Sequence, residues 1–255
     1  MKNKSIPATS DKSNALPKLR LTASECAKLA LSKSVLFQGL KGRARDLLLA
    51  RTQSRTFPDG ASIFQCGAPG ETMMAVVSGS VCISVASPDG RQLVLAMLEA
   101  GDIFGEIAVL DGKVRTADAT AVGQCTLAIL YRQDVLTFLN RQPRAWSALV
   151  EVLCERIRHA DELLTEIALF HVPTRLAKAL LRVAKAKGNS GAFNGKSLSV
   201  QLSQREIANL VGATRESVNK CLRGWQRSGI IGLQGGRIVI QDEASLVQLG
   251  ELASK

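Results

Sequence analysis

The sequence predicts an α+β chain in three parts: an all-β sandwich or barrel, one long amphipathic helix, and a helical module closed by a β-hairpin. Three observations carry this reading. Between about 55 and 136 the turn signals Pro58-Asp59-Gly60, Gly67-Ala68-Pro69-Gly70, Ser78-Gly79, Pro88-Asp89-Gly90, Gly101-Asp102 and Asp111-Gly112 recur, at roughly the 8–12-residue spacing of all-β folds. From Trp146 to Ile167 apolar residues step by three and four. From Ser203 onward two short apolar-faced helices meet at Gly212 and are followed by two β-capable runs.

Taken in order, residues 1–20 are polar, carry two prolines and lack a sustained apolar period, so a disordered basic tail is expected over 1–21. Leu29, Leu36, Leu40 and Leu47 sit at helical spacing, with Gly39 and Gly42 breaking the stretch into two short helices. Met74–Val77, Val81–Val85, Leu93–Leu98 and Cys125–Leu130 read as strands. Pro88-Asp89-Gly90 suits a hairpin turn between two of them.

Pro143 can open the long helix, where its missing N–H costs little. Along that helix Trp146, Leu149/Val150, Leu153, Ile157, Ala160, Leu164 and Ile167 form the apolar series. Arg144, Glu151, Glu155, Arg158, Glu162 and Glu166 take the other faces. A 3.5-residue period reads either as a coiled-coil seam with a partner helix or as a helix packed on its own barrel. After Pro173 a helix over 175–187 is expected, then a Gly/Asn/Ser loop over 188–195 and an alternating run at Leu198–Leu202. Ser203 and Glu206 have capping-box spacing. The following helix (Ile207, Ala208, Leu210, Val211) ends at Gly212, and the next carries Val218, Leu222 and Trp225 on one face. Ile230–Leu233 and Ile238–Ile240 complete a hairpin, giving the plan of a winged helix-turn-helix.

Of the 255 residues 46% are hydrophobic and 22% charged, which supports a packed core and argues against global disorder. The formal charge of +11 points to a polyanionic partner. The excess is uneven. Residues 171–255 hold thirteen Lys/Arg against five Asp/Glu, residues 1–20 five against one, and 21–170 fifteen against sixteen. The polyanion-binding candidate is therefore the C-terminal third. Aromatic residues make up only 4%, which argues against a stacking platform for single strands. Cys26, Cys66, Cys82, Cys125, Cys154 and Cys221 stand singly, a pattern of neither a zinc site nor an iron–sulfur cluster. Neither a secretory leader nor an apolar run of membrane-spanning length is visible, so a cytoplasmic protein with reduced thiols and no membrane partner is expected.

Two groups of residues carry chemistry. In the helix-turn-helix the polar positions of the second helix are Thr214, Arg215, Glu216, Asn219 and Lys220. A helix in the major groove reads base edges from its first turns, where arginine suits guanine O6/N7 and glutamate accepts from cytosine N4. Ser203, Gln204 and Arg205 open the first helix, where sugar–phosphate contacts are made. The second group is Phe104-Gly105-Glu106-Ile107-Ala108 with Arg115-Thr116-Ala117. Glycine permits close backbone approach, arginine offers a bidentate partner for an anionic oxygen, and Glu106 can accept from a sugar hydroxyl. That is a cyclic-nucleotide site in outline, although an Arg–Glu pair closing a barrel loop has the same spacing.

These blocks, in this order, resemble the phosphate-binding cassette, dimer helix and helix-turn-helix of the catabolite activator/fumarate-nitrate regulator (CRP/FNR) family over about 35–245. The resemblance implies a β-roll (jelly-roll) sensor domain over 22–137, a dimerisation helix over 138–170, a winged helix-turn-helix over 171–245 and a C-terminal extension over 246–255. It implies that Gly105 and Glu106 hold ribose and phosphate and that Arg115 and Thr116 hold the cyclic phosphate. Arg156 would pair with Glu106, and Leu95 would lie near the base. Arg215, Glu216 and Lys220 take the base-reading positions, although Lys220 stands where the activator has arginine and lacks its planar fork. Where two hydroxyl residues of the activator contact adenine from the two subunits, this chain has Ala160 and Asp161. An ionised carboxylate only accepts, which suits the N1–H and N2–H₂ of guanine at least as well as adenine; the same aspartate could instead face solvent.

The expected function is that of a homodimeric transcription regulator, not an enzyme, that binds pseudo-palindromic duplex DNA and responds to cyclic AMP or cyclic GMP. The alternative is a regulator of the same fold that is constitutive or answers to another effector. His159 and His171 both lie on or after the long helix, which argues against haem in the sensor and against a cupin-like metalloenzyme. No metal, haem or iron–sulfur cluster is expected. The loop over 188–195 is the candidate contact with RNA polymerase that the resemblance implies.

Overall fold

A computed structural model describes residues 43–186, 199–200, 202–235 and 237–251. The expected tail, the glycine break at 39–42 and the loop over 188–195 lie outside those residues. After a short helix α1 (Arg43–Ala50) come strands β1 (Gln53–Phe57), β2 (Ser62–Phe64), β3 (Thr72–Ala86), β4 (Gln92–Leu98) and β5 (Ile103–Phe104). Helix α2 (Glu106–Asp111) separates them from β6 (Asp118–Tyr131). These strands form one antiparallel sheet in the order β1-β6-β3-β4, with β2 also on β6 and β5 also on β3.

Two of the expected strands are one. Met74–Val77 and Val81–Val85 belong to the single 15-residue β3, and Ser78-Gly79, read as a turn, runs through it. The register against β6 slips between Val76 and Ser78 and again between Ser78 and Ser80, so the extra residues are absorbed as bulges. Bulging bends the long β3–β6 ribbon and lets the sheet roll up.

The roll explains why Met73–Val76 is apolar without alternation. Successive side chains point to opposite faces, and here both faces are covered. Met74 and Val76 join the interior of the roll with Phe57, Val81, Phe104, Ala119, Ala121 and Leu127. Met73 and Ala75 face outward, onto Leu48, Leu49, Val109, Val135, Leu139 and Leu149 of the surrounding helices.

Helix α3 (Arg132–Arg141) leads into α4 (Pro143–Leu169), with Pro143 in its first turn as expected. The boundary placed at 137/138 therefore falls inside α3. At 27 residues α4 is about 40 Å long. The apolar series read along it divides between two faces. Ala145 and Leu149 are buried against the sensor, whereas Val150, Ile157 and Leu164 are 51%, 61% and 66% exposed. These three stand seven residues apart, and Cys154, Asp161 and Ala168 lie exposed between and beyond them. The packing on the chain's own barrel is thus present on one face, while the heptad-spaced row on another face is exposed in the single chain.

Helix α5 (Val172–Ala186), β7 (Ser199–Val200), α6 (Gln204–Val211), α7 (Arg215–Arg227), β8 (Ile231–Gln234), β9 (Arg237–Ile240) and α8 (Glu243–Glu251) form the C-terminal module. β9 pairs with both β7 and β8. The core gathers Leu176, Leu180, Ile207, Val218, Leu222, Trp225, Ile231, Ile238 and Leu246. Leu246 is fully buried there, so the boundary placed at 245/246 cuts through α8, which packs as part of the module.

The module lies against the sensor hairpin: Asn209 Nδ2 donates to Gln92 Oε1 at 3.2 Å. Below it Arg182 holds both carboxylate oxygens of Glu166 at 2.9 and 3.2 Å. The neighbouring Arg175 is buried with Nε and Nη1 unpartnered, and its pKa is pushed down by burial, with Glu166 pulling it back up.

Candidate functional site

Two sites are assembled, one at the mouth of the roll and one on α7. At the roll, β5 delivers Phe104 into the interior and Gly105 turns the chain into α2 with φ 76°. A Cβ at Gly105 would stand 2.6 Å from Arg115 Nη1, so only glycine fits beside that guanidinium. Glu106 is thereby carried to a fully buried position.

Arg115 is fixed on several sides. Nη1 donates to Gly105 O at 2.8 Å, and Nη2 donates to Thr72 O at 2.7 Å and Thr72 Oγ1 at 3.0 Å. One face of the guanidinium lies 4.2 Å from the centroid of the Phe64 ring. Its Nε is buried and has no acceptor. Burial lowers the pKa of Arg115, while Glu106 and Glu71 raise it; an arginine stays charged under such a balance.

Glu106 is the anionic counterpart. Arg156, on α4, brings Nε to 3.3 Å from Glu106 Oε1 and donates Nη2 to Ile103 O. The approach to Glu106 is an ion contact without hydrogen-bond geometry, and both carboxylate oxygens remain without a donor. A small recess joins these groups; Gly105, Glu106, Ile107, Arg115, Thr116, Ala117 and Arg156 all line it. Seven of the ten residues predicted for this site are thus together. The other three are not on the lining: Leu95 is half-buried against the roll interior, and Ala160 and Asp161 are exposed on α4.

Phe64, Ile83 and Thr72 were missed. Phe64 and Ile83 line the recess and Thr72 anchors the arginine. Each comes from a strand remote in sequence, and no local pattern marks it.

On α7, Val218, Leu222 and Trp225 are buried, and Arg215, Glu216, Lys220, Arg223 and Arg227 are exposed on the other side. The predicted capping box is present: Ser203 N donates to Glu206 Oε2 at 2.6 Å and Glu206 N to Ser203 Oγ at 3.2 Å. Ser203 Oγ is therefore already an acceptor, which leaves its O–H to donate outward. Gly212, at φ 58°, closes α6, and the Thr214 hydroxyl caps α7 by accepting from Ser217 N at 3.2 Å. The N-terminal turn of α7 is thus held by local bonds, with Arg215 and Glu216 exposed on it, while Arg205 is exposed in the first turn of α6. Arg223 and Arg227 extend the basic face in steps of four from Asn219 and line one groove with Glu216, Asn219 and Lys220. That spacing is legible in the sequence.

The family described as "Cyclic nucleotide-binding domain" matches residues 54–142, and "Crp-like helix-turn-helix domain" matches 174–249. The chain is 34% identical over 220 residues to the CRP-like cAMP-activated global transcriptional regulator of Mycobacterium tuberculosis. The match covers 86% of this chain and 97% of that one. The chain belongs to the CRP/FNR family.

A second relative in the family, the cyclic AMP receptor protein of Thermus thermophilus, is 32% identical, with 85% of this chain and 96% of the relative covered. Among solved structures, the c-di-GMP-responsive global regulator CLP of Xanthomonas campestris aligns at TM-score 0.70 and 25% identity. That alignment covers 77% of this chain and 97% of the regulator. A CRP/FNR-family regulator of Eubacterium rectale aligns at TM-score 0.75 and 19% identity over 87% and 100% of the two chains, a likeness of fold. The protein is accordingly a CRP-like transcription regulator with a cyclic-nucleotide-binding domain and a DNA-binding helix-turn-helix, not an enzyme. Among the described residues no helix is long and apolar enough to cross a membrane.

Proposed function

We propose that this regulator works as a homodimer whose DNA affinity is set by a cyclic purine nucleotide held between Glu106 and Arg115. The observation that carries the reading is the pair of unmet needs in one recess. Buried polar groups are nearly always hydrogen-bonded, yet Glu106 has two acceptors without donors and Arg115 one donor without an acceptor. A ribose hydroxyl and a cyclic phosphate meet both. Arg156 ties the same carboxylate to α4, so a ligand that changes the Glu106 contacts acts directly on the helix leading to the DNA-binding module. It shifts the arrangement only by its differential affinity for the two states.

The second copy is argued from α4. Val150, Ile157 and Leu164 form an exposed apolar row at heptad spacing, the pattern of a two-helix seam. Asp161 lies on that row, exposed in the single chain, so a partner helix is what would carry an Asp161 to the base of a bound nucleotide. Its acceptor-only chemistry favours guanine at least as well as adenine, and cyclic GMP is expected to compete with cyclic AMP. Isothermal titration of the full chain with each nucleotide tests the site; no heat with either would leave a DNA-binding regulator with a different trigger. Asp161→Ala is expected to change the ratio of the two affinities, by about threefold or more. An unchanged ratio would remove Asp161 from base selection.

DNA is read from α7. Arg215 and Glu216 occupy its first turn, with Lys220 one turn on and Arg205 and Gln204 at the start of α6 placed for the backbone. Arg215→Ala is expected to weaken binding to a duplex selected by the wild-type protein by about 1–3 kcal/mol, and to relax preference at one G·C pair per half-site. Fluorescence anisotropy on that duplex and on its single-base variants measures both. Equal affinity for all of them in wild type and variant would exclude Arg215 from readout.

A further inference from the structure

We infer that Phe64 is a positioning residue for the anion-binding arginine: its ring braces the guanidinium of Arg115 at the wall of the recess that both residues line. This deepens the proposed nucleotide site and rests on it. The hydrogen bonds from Arg115 to Gly105 O, Thr72 O and Thr72 Oγ1 fix the Nη1 and Nη2 ends of the fork. They do not by themselves prevent the plane from rocking about the line joining those atoms. A ring whose centroid lies 4.2 Å from the guanidinium carbon blocks that motion on one side and attracts the charge to its face.

Phe64 is itself braced. It comes from β2, which pairs with β6, and its ring stands 5.8 Å from that of Phe104 at 36°. It also forms part of the recess wall, so the group that orients the arginine also excludes water from where the phosphate would sit. An arginine ordered before the ligand arrives loses little further freedom on binding, and that saving appears directly as affinity.

The test separates aromaticity from bulk. Phe64→Leu keeps an apolar side chain and removes the π face; Phe64→Tyr keeps the face. Titrating the full-length protein with cyclic AMP and cyclic GMP, Phe64→Leu is expected to weaken the tighter-binding nucleotide about fivefold, and Phe64→Tyr to stay within about twofold of wild type. The loss should shrink in an Arg115→Lys background, because a lysine has no plane to hold. Phe64→Leu binding as tightly as Phe64→Tyr overturns the inference, as does a leucine loss that is undiminished beside Arg115→Lys. A wild-type protein that binds neither nucleotide overturns the site itself, and that result is distinct from either of these.

Discussion

Arg115→Ala is expected to lower cyclic-nucleotide affinity by about a hundredfold or more, the scale of removing one member of a buried charge pair. The change takes away the unpartnered Nε and leaves Gly105 O and Thr72 O without their donor. It also leaves the buried Glu106 carboxylate with Arg156 alone. Because Arg115 ties β3 to the turn before α2, some loss of thermal stability should accompany the loss of binding. Arg115→Lys separates the two effects: it keeps the charge but cannot serve Gly105, Thr72 and a phosphate at once, so an intermediate loss of about tenfold is expected. Titration calorimetry beside a melting curve reads both variants. Undiminished binding by Arg115→Ala would mean that the nucleotide, if it binds, sits elsewhere.

Placing aspartate at both Ile157 and Leu164 is expected to make the proposed dimer fall apart to a monomer and to weaken binding to a two-half-site duplex by about 10²–10⁴-fold. Both side chains are more than half exposed in the single chain, so charge there costs the protomer little. Across a two-fold seam the same charges meet their own copies in an apolar setting. Linked half-sites make the second recognition helix bind almost intramolecularly, and a monomer forgoes that advantage. Sedimentation equilibrium and anisotropy on a wild-type-selected duplex measure the two consequences. A double variant that remains dimeric would move the interface off this face of α4.

Phe64 and the exposed row on α4 show where reading the sequence stops. The glycine–glutamate turn and the Ser203–Glu206 capping box are short-range arrangements, set by backbone conformation within a few residues, and each appears in the structure as residue spacing suggests. The bulged passage of β3 through Ser78-Gly79 was misread as a turn. Whether such a dipeptide ends a strand or bends it depends on whether β6 continues alongside. Leu149 and Val150 are adjacent and equally apolar, yet one is buried in the sensor core and the other half exposed. A rotation of about 100° per residue separates their faces, and only what packs against α4 chooses between them.

By itself, then, the sequence determined the order of the parts, the basic C-terminal third, the helix caps and the residue types proposed to meet a cyclic phosphate, ribose and base edges, because all of these are local or compositional. The tertiary structure decided which face of α4 is free, and that Thr72 and Phe64 hold Arg115 from 43 and 51 positions away. Those contacts arise only when the sheet rolls up and brings distant strands to one recess, a consequence of packing both faces of β3 that no local pattern encodes.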